Sequence, residues 1–258
     1  SFENLQKAFK NFALSIPYYG CAIVMGDDPK TREIFNKFTK KIIFYGENDN
    51  NDFVLKKEGD HYCVYASEEK LGTLQLAVPG SHNALNALAA CIATNQAGVS
   101  WQECFQGVNQ YDGVDRRFQK IAEKDNIQIF DDYAHHPTEI KATVAAVADL
   151  KAKGQFHLIY EPHRFTRTRD CWEEYKSCFN GVDHLYLAPI YPAGESPIEG
   201  VSSPNLANKI NVQTTCFEDE DQFLRDLVVR LKSGDVVMTM GAGQVWKLGL
   251  KLQTLLES

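Results

Sequence analysis

Residues 127–139 read Ile127-Gln128-Ile129-Phe130-Asp131-Asp132-Tyr133-Ala134-His135-His136-Pro137-Thr138-Glu139. The apolar run 127–130 predicts a strand. Pro137 opens a helix, because its fixed φ and missing N–H suit the first helical position. Thr138 and Glu139 fall in that helix's first turn, where a carboxylate faces the positive end of the dipole. Strand, polar turn and helix form the repeating unit of a parallel α/β sheet, and ligands gather outside the carboxyl ends of such strands. Two carboxylates, a phenol and two imidazoles at that place, with no turn glycine, point to function more than to a capped turn with solvated charges. Such a cluster could orient ribose hydroxyls, a metal-bound water or an amine.

The same rhythm continues downstream. Strands are predicted over 119–122, 156–160, 184–189, 212–217 and 236–240. Helices are predicted from Pro137 to about Lys153 and over 171–179, 219–232 and 245–256. This is a second α/β domain with a mostly parallel sheet, assigned to residues 115–258. Residues 1–114 read as a different unit. A helix over 2–14 ends at Ile16-Pro17-Tyr18-Tyr19-Gly20, and a β-α-β passage follows over 21–45. Three short strands over 53–57, 62–66 and 72–77 form an antiparallel meander around Glu58-Gly59-Asp60. Helices over 82–97 and from the Ser100 cap to 108 close this part.

The chain has 258 residues, which suits two domains, and a net charge of −7. No basic footprint for nucleic acid exists, so any arginine cluster is a local device. Seven scattered cysteines without C-x-x-C read as reduced thiols, neither a disulfide frame nor a zinc site. The longest apolar runs are too short to span a bilayer, so no membrane partner is expected, and the reduced thiols suggest a cytoplasmic setting. The chain opens on Ser1-Phe2-Glu3 without an initiator Met and reads as starting partway through a longer protein.

Four further stretches carry chemistry. In Ser81-His82-Asn83-Ala84-Leu85-Asn86, two carboxamides three apart can face one way, and a carboxamide suits the edge of an adenine ring. Capping by Ser81 or Asn83 is the alternative, although it leaves Asn86 unexplained. Glu161-Pro162-His163-Arg164-Phe165-Thr166-Arg167-Thr168-Arg169-Asp170 again follows a strand. Arg164 and Arg167 share a face if this stretch is helical, and an arginine fork grips carboxylate or phosphate. Arg169 reads as a surface partner of Asp170 or Glu173. Asp115-Arg116-Arg117-Phe118 is either a basic hinge that reaches a nucleotide or a solvated linker. Gly241-Ala242-Gly243 is an anion-binding turn or merely a tight one. The phosphate-cradling pattern G-x-x-x-x-G-K-[ST] occurs nowhere in the chain.

Taken in order with Pro17-Tyr18-Tyr19-Gly20, Asp27-Asp28-Pro29 and Tyr191-Pro192-Ala193-Gly194-Glu195, these motifs resemble the Mur ligase family over essentially the whole chain. The His-His-Pro and His-Arg-Phe-Thr-Arg-Thr-Arg stretches resemble its alanine-adding branch. The resemblance implies the later part of a central ATPase domain, with a mixed sheet, followed by a Rossmann-like C-terminal domain. It implies ATP-dependent joining of L-alanine to the carboxylate of UDP-N-acetylmuramate through an acyl phosphate, in peptidoglycan precursor synthesis. By resemblance, Asn83 and Asn86 hold adenine, and Arg117 and Asp132 hold the ATP ribose and phosphates. Tyr133, His135, Arg164 and Arg167 form the L-alanine pocket, with His135 as the catalytic candidate. ATP and Mg2+ are the implied cofactors, with the main Mg2+ ligands expected upstream and no metal ligand assigned here. The chain alone is expected to be inactive. A murein-peptide ligase of the same family, and a metal hydrolase built on Asp131, Asp132, His135 and His136, are the alternatives.

Overall fold

The strand and helix signals fold into two sheets, in a computed structural model that describes residues 2–35, 37–148 and 154–257. The chain divides into two units, residues 1–112 and 113–258.

The first unit runs α1 (Phe2–Leu14), β1 (Ala22–Met25), α2 (Pro29–Phe35), β2 (Ile42–Gly46), β3 (Phe53–Glu58), β4 (His61–Ala66), β5 (Glu69–Leu74), α3 (Ser81–Gln96) and α4 (Trp101–Asn109). Its strands lie in chain order. β1, β2 and β3 are parallel, and β4 and β5 add antiparallel. The meander therefore forms, but its last strand starts earlier than the apolar pattern suggests. Ser67 (φ 47°) and Glu68 (φ 72°) make a two-residue left-handed turn, and a register shift at Val64/Tyr65 absorbs the difference. Ala84, Leu88, Cys91 and Ile92 recur at helical spacing and are wholly buried on one stripe of α3. That stripe packs in one cluster with Leu55, Val64 and Leu74 of the sheet. Ser100 caps α4 in a reciprocal capping box with Glu103.

The second unit runs β6 (Gln119–Lys124), β7 (Ile127–Asp132), α5 (Pro137–Ala148), β8 (Phe156–Tyr160), α6 (Phe165–Asp170), α7 (Tyr175–Cys178), β9 (His184–Leu187), α8 (Ser203–Ala207), β10 (Thr214–Cys216), α9 (Glu220–Arg230), β11 (Val236–Met240) and α10 (Trp246–Glu257). The sheet order is β10-β9-β8-β11-β7-β6. All neighbours are parallel except β6, which forms a hairpin with β7. β8 and β11 are buried at every residue, as central strands covered on both faces must be. The helix expected over 171–179 shrinks to α7, and the separate short helix α6 precedes it over Phe165–Asp170. α8 lies where no helix was predicted, since five residues are too few to show a period. The expected end of α5 near residue 153 falls outside the described residues.

One difference matters for the site. β7 does not stop at Phe130 but continues through Asp131 and Asp132, which pair with Thr239 and Met240 of β11. Each carboxylate finds donors inside the protein, so both are tolerated in a buried strand. Among the described residues, no helix is long and apolar enough to cross a membrane, and all seven cysteines are free thiols.

Leu88 is fully buried in the first unit's core. Leu88→Ala should lower stability by about 3 kcal/mol, and Leu88→Met by less than about 1.5 kcal/mol. Urea denaturation of the two variants checks both values.

Candidate functional site

The carboxyl ends of β7, β11 and β8 stand side by side, with Met240 opposite both Asp132 and Tyr160. Arg116 ties this row together. Its Nε donates to Asp131 Oδ2 at 3.0 Å, its Nη2 to the Gly241 carbonyl at 2.6 Å and its Nη1 to the Gly243 carbonyl at 3.3 Å. Asp131 accepts a second bond from Thr239 Oγ1 at 2.6 Å. Burial pushes the Asp131 carboxyl above its ordinary value, against the pull of Thr239 and Arg116. The Arg116 guanidinium also lies 5.0 Å from the centre of the Tyr133 ring.

The turn after β11 serves a neighbouring carboxylate. Glu161 Oε2, at the end of β8, accepts from the Gln244 N–H at 2.8 Å and the Val245 N–H at 3.4 Å. A side chain at Gly243 would come within 2.0 Å of that carboxylate and 2.8 Å of the Tyr191 ring, so any larger residue there has to displace both. The anion at this helix start is thus part of the chain itself, and of the two readings of Gly241-Ala242-Gly243 the tight turn fits.

Beside this row lies a cluster of rings and cations. His135 Nδ1 is 2.9 Å from the Tyr133 carbonyl, which can only accept. In the neutral ring the proton therefore sits on Nδ1, and Nε2 carries the lone pair. The hydroxyls of Tyr160 and Tyr175 each donate to the His135 carbonyl at 3.3 Å, so the backbone beneath the ring is held from two sides. His135 packs edge-on to Tyr133 and 5.8 Å from His163, and His163 stacks on Tyr191. Arg167 Nη1 donates to His163 Nδ1 at 3.2 Å. Burial first, then Arg167 and His135, push the His163 imidazole down to about 4, so it is neutral near pH 7.

Tyr133, His135 and Arg167 are thus brought together in the second unit, and three expected residues sit differently from their predicted setting. Asp132 was expected to reach a nucleotide, but it is 5% exposed. Its Oδ2 accepts from Phe118 N at 2.8 Å and its Oδ1 from Ala134 N at 2.7 Å, so it holds the chain and offers no free oxygen to a ligand. Arg164 does not share a helical face with Arg167. It precedes α6 in a left-handed conformation (φ 72°), its N–H bonded to the Tyr191 carbonyl at 2.8 Å, and its side chain is exposed. Asn83 neither caps α3 nor leaves its amide unused, because Gly80 is the cap position and Asn83 Nδ2 donates to Pro79 O at 2.8 Å. Asn86 is exposed on α3. Arg117 is exposed, 5.8 Å from the centre of the Tyr133 ring. Arg169 pairs with Asp170 at the surface, as its sequence setting suggests.

The hydrolase alternative loses its ligand set in this geometry. Asp131 and Asp132 are spent on internal donors, and His136 turns to Cys171 Sγ at 3.8 Å. Sequence reasoning missed Arg116, His163 and Glu161 as organising residues. All three sit inside quoted motifs, but only the register of three distant strands shows which neighbour each one meets.

Two family models match the chain: the Mur ligase middle domain over residues 1–94, and the Mur ligase, glutamate ligase domain over residues 116–243. A UDP-N-acetylmuramate--L-alanine ligase of Bdellovibrio bacteriovorus is 44% identical, covering 98% of this chain and 57% of that protein. The enzyme of the same name from Nitratidesulfovibrio vulgaris is 36% identical, over 96% of this chain and 56% of its own length. The chain thus spans a little over half of these curated relatives. A crystal structure of the UDP-N-acetylmuramate-alanine ligase MurC from Thermotoga maritima superposes with a TM-score of 0.78 at 18% identity, covering all of this chain and 55% of that one. A murein peptide ligase from Psychrobacter arcticus gives 0.67 at 20% identity, over 98% and 55%. At these identities the structural matches speak for the fold.

Arg116→Ala strands a buried carboxylate and should cost about 3–5 kcal/mol. Adding Asp131→Asn should recover part of that loss, as read by chemical denaturation. His163 titrates near 4 in the fold against about 6.5 in an unfolded chain. The unfolded state then binds the proton first, so this contribution to stability is complete above about pH 6.5 and lost as the pH falls toward 4. NMR should show no titration of the His163 ring above about pH 5, and Arg167→Ala should move its midpoint upward.

Proposed function

Since the chain belongs to the Mur ligase family and carries its middle and C-terminal domains, we propose that it is part of an ATP-dependent ligase joining L-alanine to the carboxylate of UDP-N-acetylmuramate. In this reading, residues 1–114 are the later part of the middle domain and residues 115–258 the C-terminal domain. The observation that carries it is the cluster of Tyr133, His135, His163 and Arg167 at the strand ends, with Arg164 exposed nearby in sequence. The two arginines suit a small amino-acid carboxylate, which a planar fork binds by two charge-assisted bonds. His135, its proton fixed on Nδ1, offers Nε2 to the attacking amine, which must lose a proton as the amide forms. Neutral His163 adds no charge beside that carboxylate and holds Arg167 in place.

Nucleotide contacts are proposed separately for each unit: Asn83 and Asn86 toward adenine in the first, Arg117 toward the nucleotide in the second. Asp132 acts by positioning Phe118 and Ala134. Bound with ATP, Mg2+ would offset phosphate charge. Asp131, Asp132 and Glu161 already accept from the chain's own donors and do not fit as its ligands. The names of the 44% and 36% identical relatives favour L-alanine over a murein peptide as the incoming amine. The setting proposed for this chemistry is cytoplasmic peptidoglycan synthesis.

The test is a split in kinetic constants, measured in a polypeptide of the relatives' full length. Arg167→Ala should raise KM for L-alanine by about 10–100-fold and leave KM for ATP within about twofold. An effect on ATP with none on L-alanine would reverse the assignment, and preference for a peptide amine would favour the murein-peptide reading. The 258-residue chain by itself is expected to release no phosphate from ATP.

A further inference from the structure

The outer face of the first unit's sheet holds a second group of reactive side chains. Alternation along β3, β4 and β5 sends Leu55, Val64 and Leu74 into the core. The intervening residues point the other way, and Cys63 is among them. It is 0% exposed yet is not a member of the core cluster. On this face it sits between Lys56 and Thr73 in the ladders, beside polar neighbours. Glu58 and His61 are directly opposed across the β3–β4 turn, and His61 lies two residues before Cys63, on the same side of β4.

The donor atoms of Glu58, His61 and Cys63 all lie within 4.8 Å of one another, the sole such group among the described residues. Tetrahedral coordination with bonds of about 2.0–2.3 Å separates ligand atoms by about 3.3–3.7 Å. Closing this gap needs a side-chain adjustment, not a backbone movement. We propose that Glu58, His61 and Cys63 form a three-ligand site for a borderline-soft divalent cation, Zn2+, at the tip of the β3–β4 hairpin.

Three features support it. Thiolate, imidazole and carboxylate together suit zinc, and three protein ligands leave the fourth position to water. Asp60 Oδ1 lies 3.1 Å from His61 Nδ1. In the tautomer that donates there, the ring keeps its lone pair on Nε2, and a carboxylate behind a ligating histidine orients it and raises its basicity. A cation is already drawn to the spot, since Lys70 Nζ lies 3.7 Å from Glu58 Oε2. Lys70 and Glu58 are the half-exposed rim, so an ion enters by displacing the ammonium. The absence of C-x-x-C does not bear on this site, which uses one thiol.

The experiment is a titration of the tag-free, chelator-stripped chain with Co2+, followed by Zn2+. One equivalent of Co2+ should give a thiolate-to-cobalt absorption band in the near ultraviolet, bleached by Zn2+. Cys63→Ser should abolish the band, Asp60→Asn should weaken binding by about 10-fold, and Lys70→Met should strengthen it. No thiolate band in the wild type, or an equal band in Cys63→Ser, overturns the proposal. Should Cys63→Ser not fold, Glu58→Gln keeps the thiol. A loss of about 10-fold in Co2+ affinity supports the site, and unchanged affinity overturns it.

Discussion

A single guanidinium sets the geometry at the carboxyl end of the second sheet. Arg116 spans one buried carboxylate and two backbone carbonyls, and so fixes the end of β7 against the turn after β11. An arginine suits this place because its planar fork meets several acceptors at once, which an ammonium on a flexible stem cannot do with equal precision. Isolated, either charge would be costly to bury. Joined, they let Asp131 and then Asp132 extend a hydrophobic strand past the point where apolar residues end. The register of Tyr133, and through it of His135, follows from that extension.

Holding this geometry has a conformational cost. Arg116, Phe118 and Arg164 all adopt left-handed backbone conformations, at φ 61°, 50° and 72°. Each such residue costs on the order of 1–2 kcal/mol. Each is held by more than one contact. Arg116 N donates to Gln119 Oε1 at 2.8 Å while its side chain is anchored three times. Phe118 is buried against Phe130 and donates its N–H to Asp132. Arg164 is clamped between the Tyr191 carbonyl and the N–H of Thr168. These three residues lie in the two segments that carry the exposed arginines Arg117 and Arg164.

The architecture was legible because it rests on local signals. Periodicity, Pro137, the Ser100–Glu103 box and the apolar run of β11 each report on neighbours within a few residues. The division of labour inside the motifs was not. Asp131 and Asp132 are adjacent carboxylates, and nothing local says that one will meet Arg116 and the other the N–H groups of Phe118 and Ala134. Arg164 and Arg167 satisfy helical spacing on paper, yet the Tyr191 carbonyl captures the first and turns it out of the helix. His163 stands in a motif dominated by arginines, and its role as their neutral neighbour depends on Tyr191, which is 28 residues away. Cys63 alternates with core residues and looks like one until the strand parity is counted.

Glu161 shows how these internal contacts shape what the site can recognise. The start of α10, with its glycines and free N–H groups, would ordinarily attract an external anion. Here the Glu161 carboxylate already accepts from Gln244 and Val245, and Arg116 takes the outward carbonyls of Gly241 and Gly243. Burial raises the Glu161 carboxyl, while those same N–H groups pull it back toward ionisation. An incoming anion at this turn would meet a carboxylate, not a row of donors. In the proposed reading, negative charge goes instead to the exposed guanidinium of Arg164 and to Arg167. In a protein of net charge −7, recognition of an anionic group depends on a few cations that the scaffold has not already consumed.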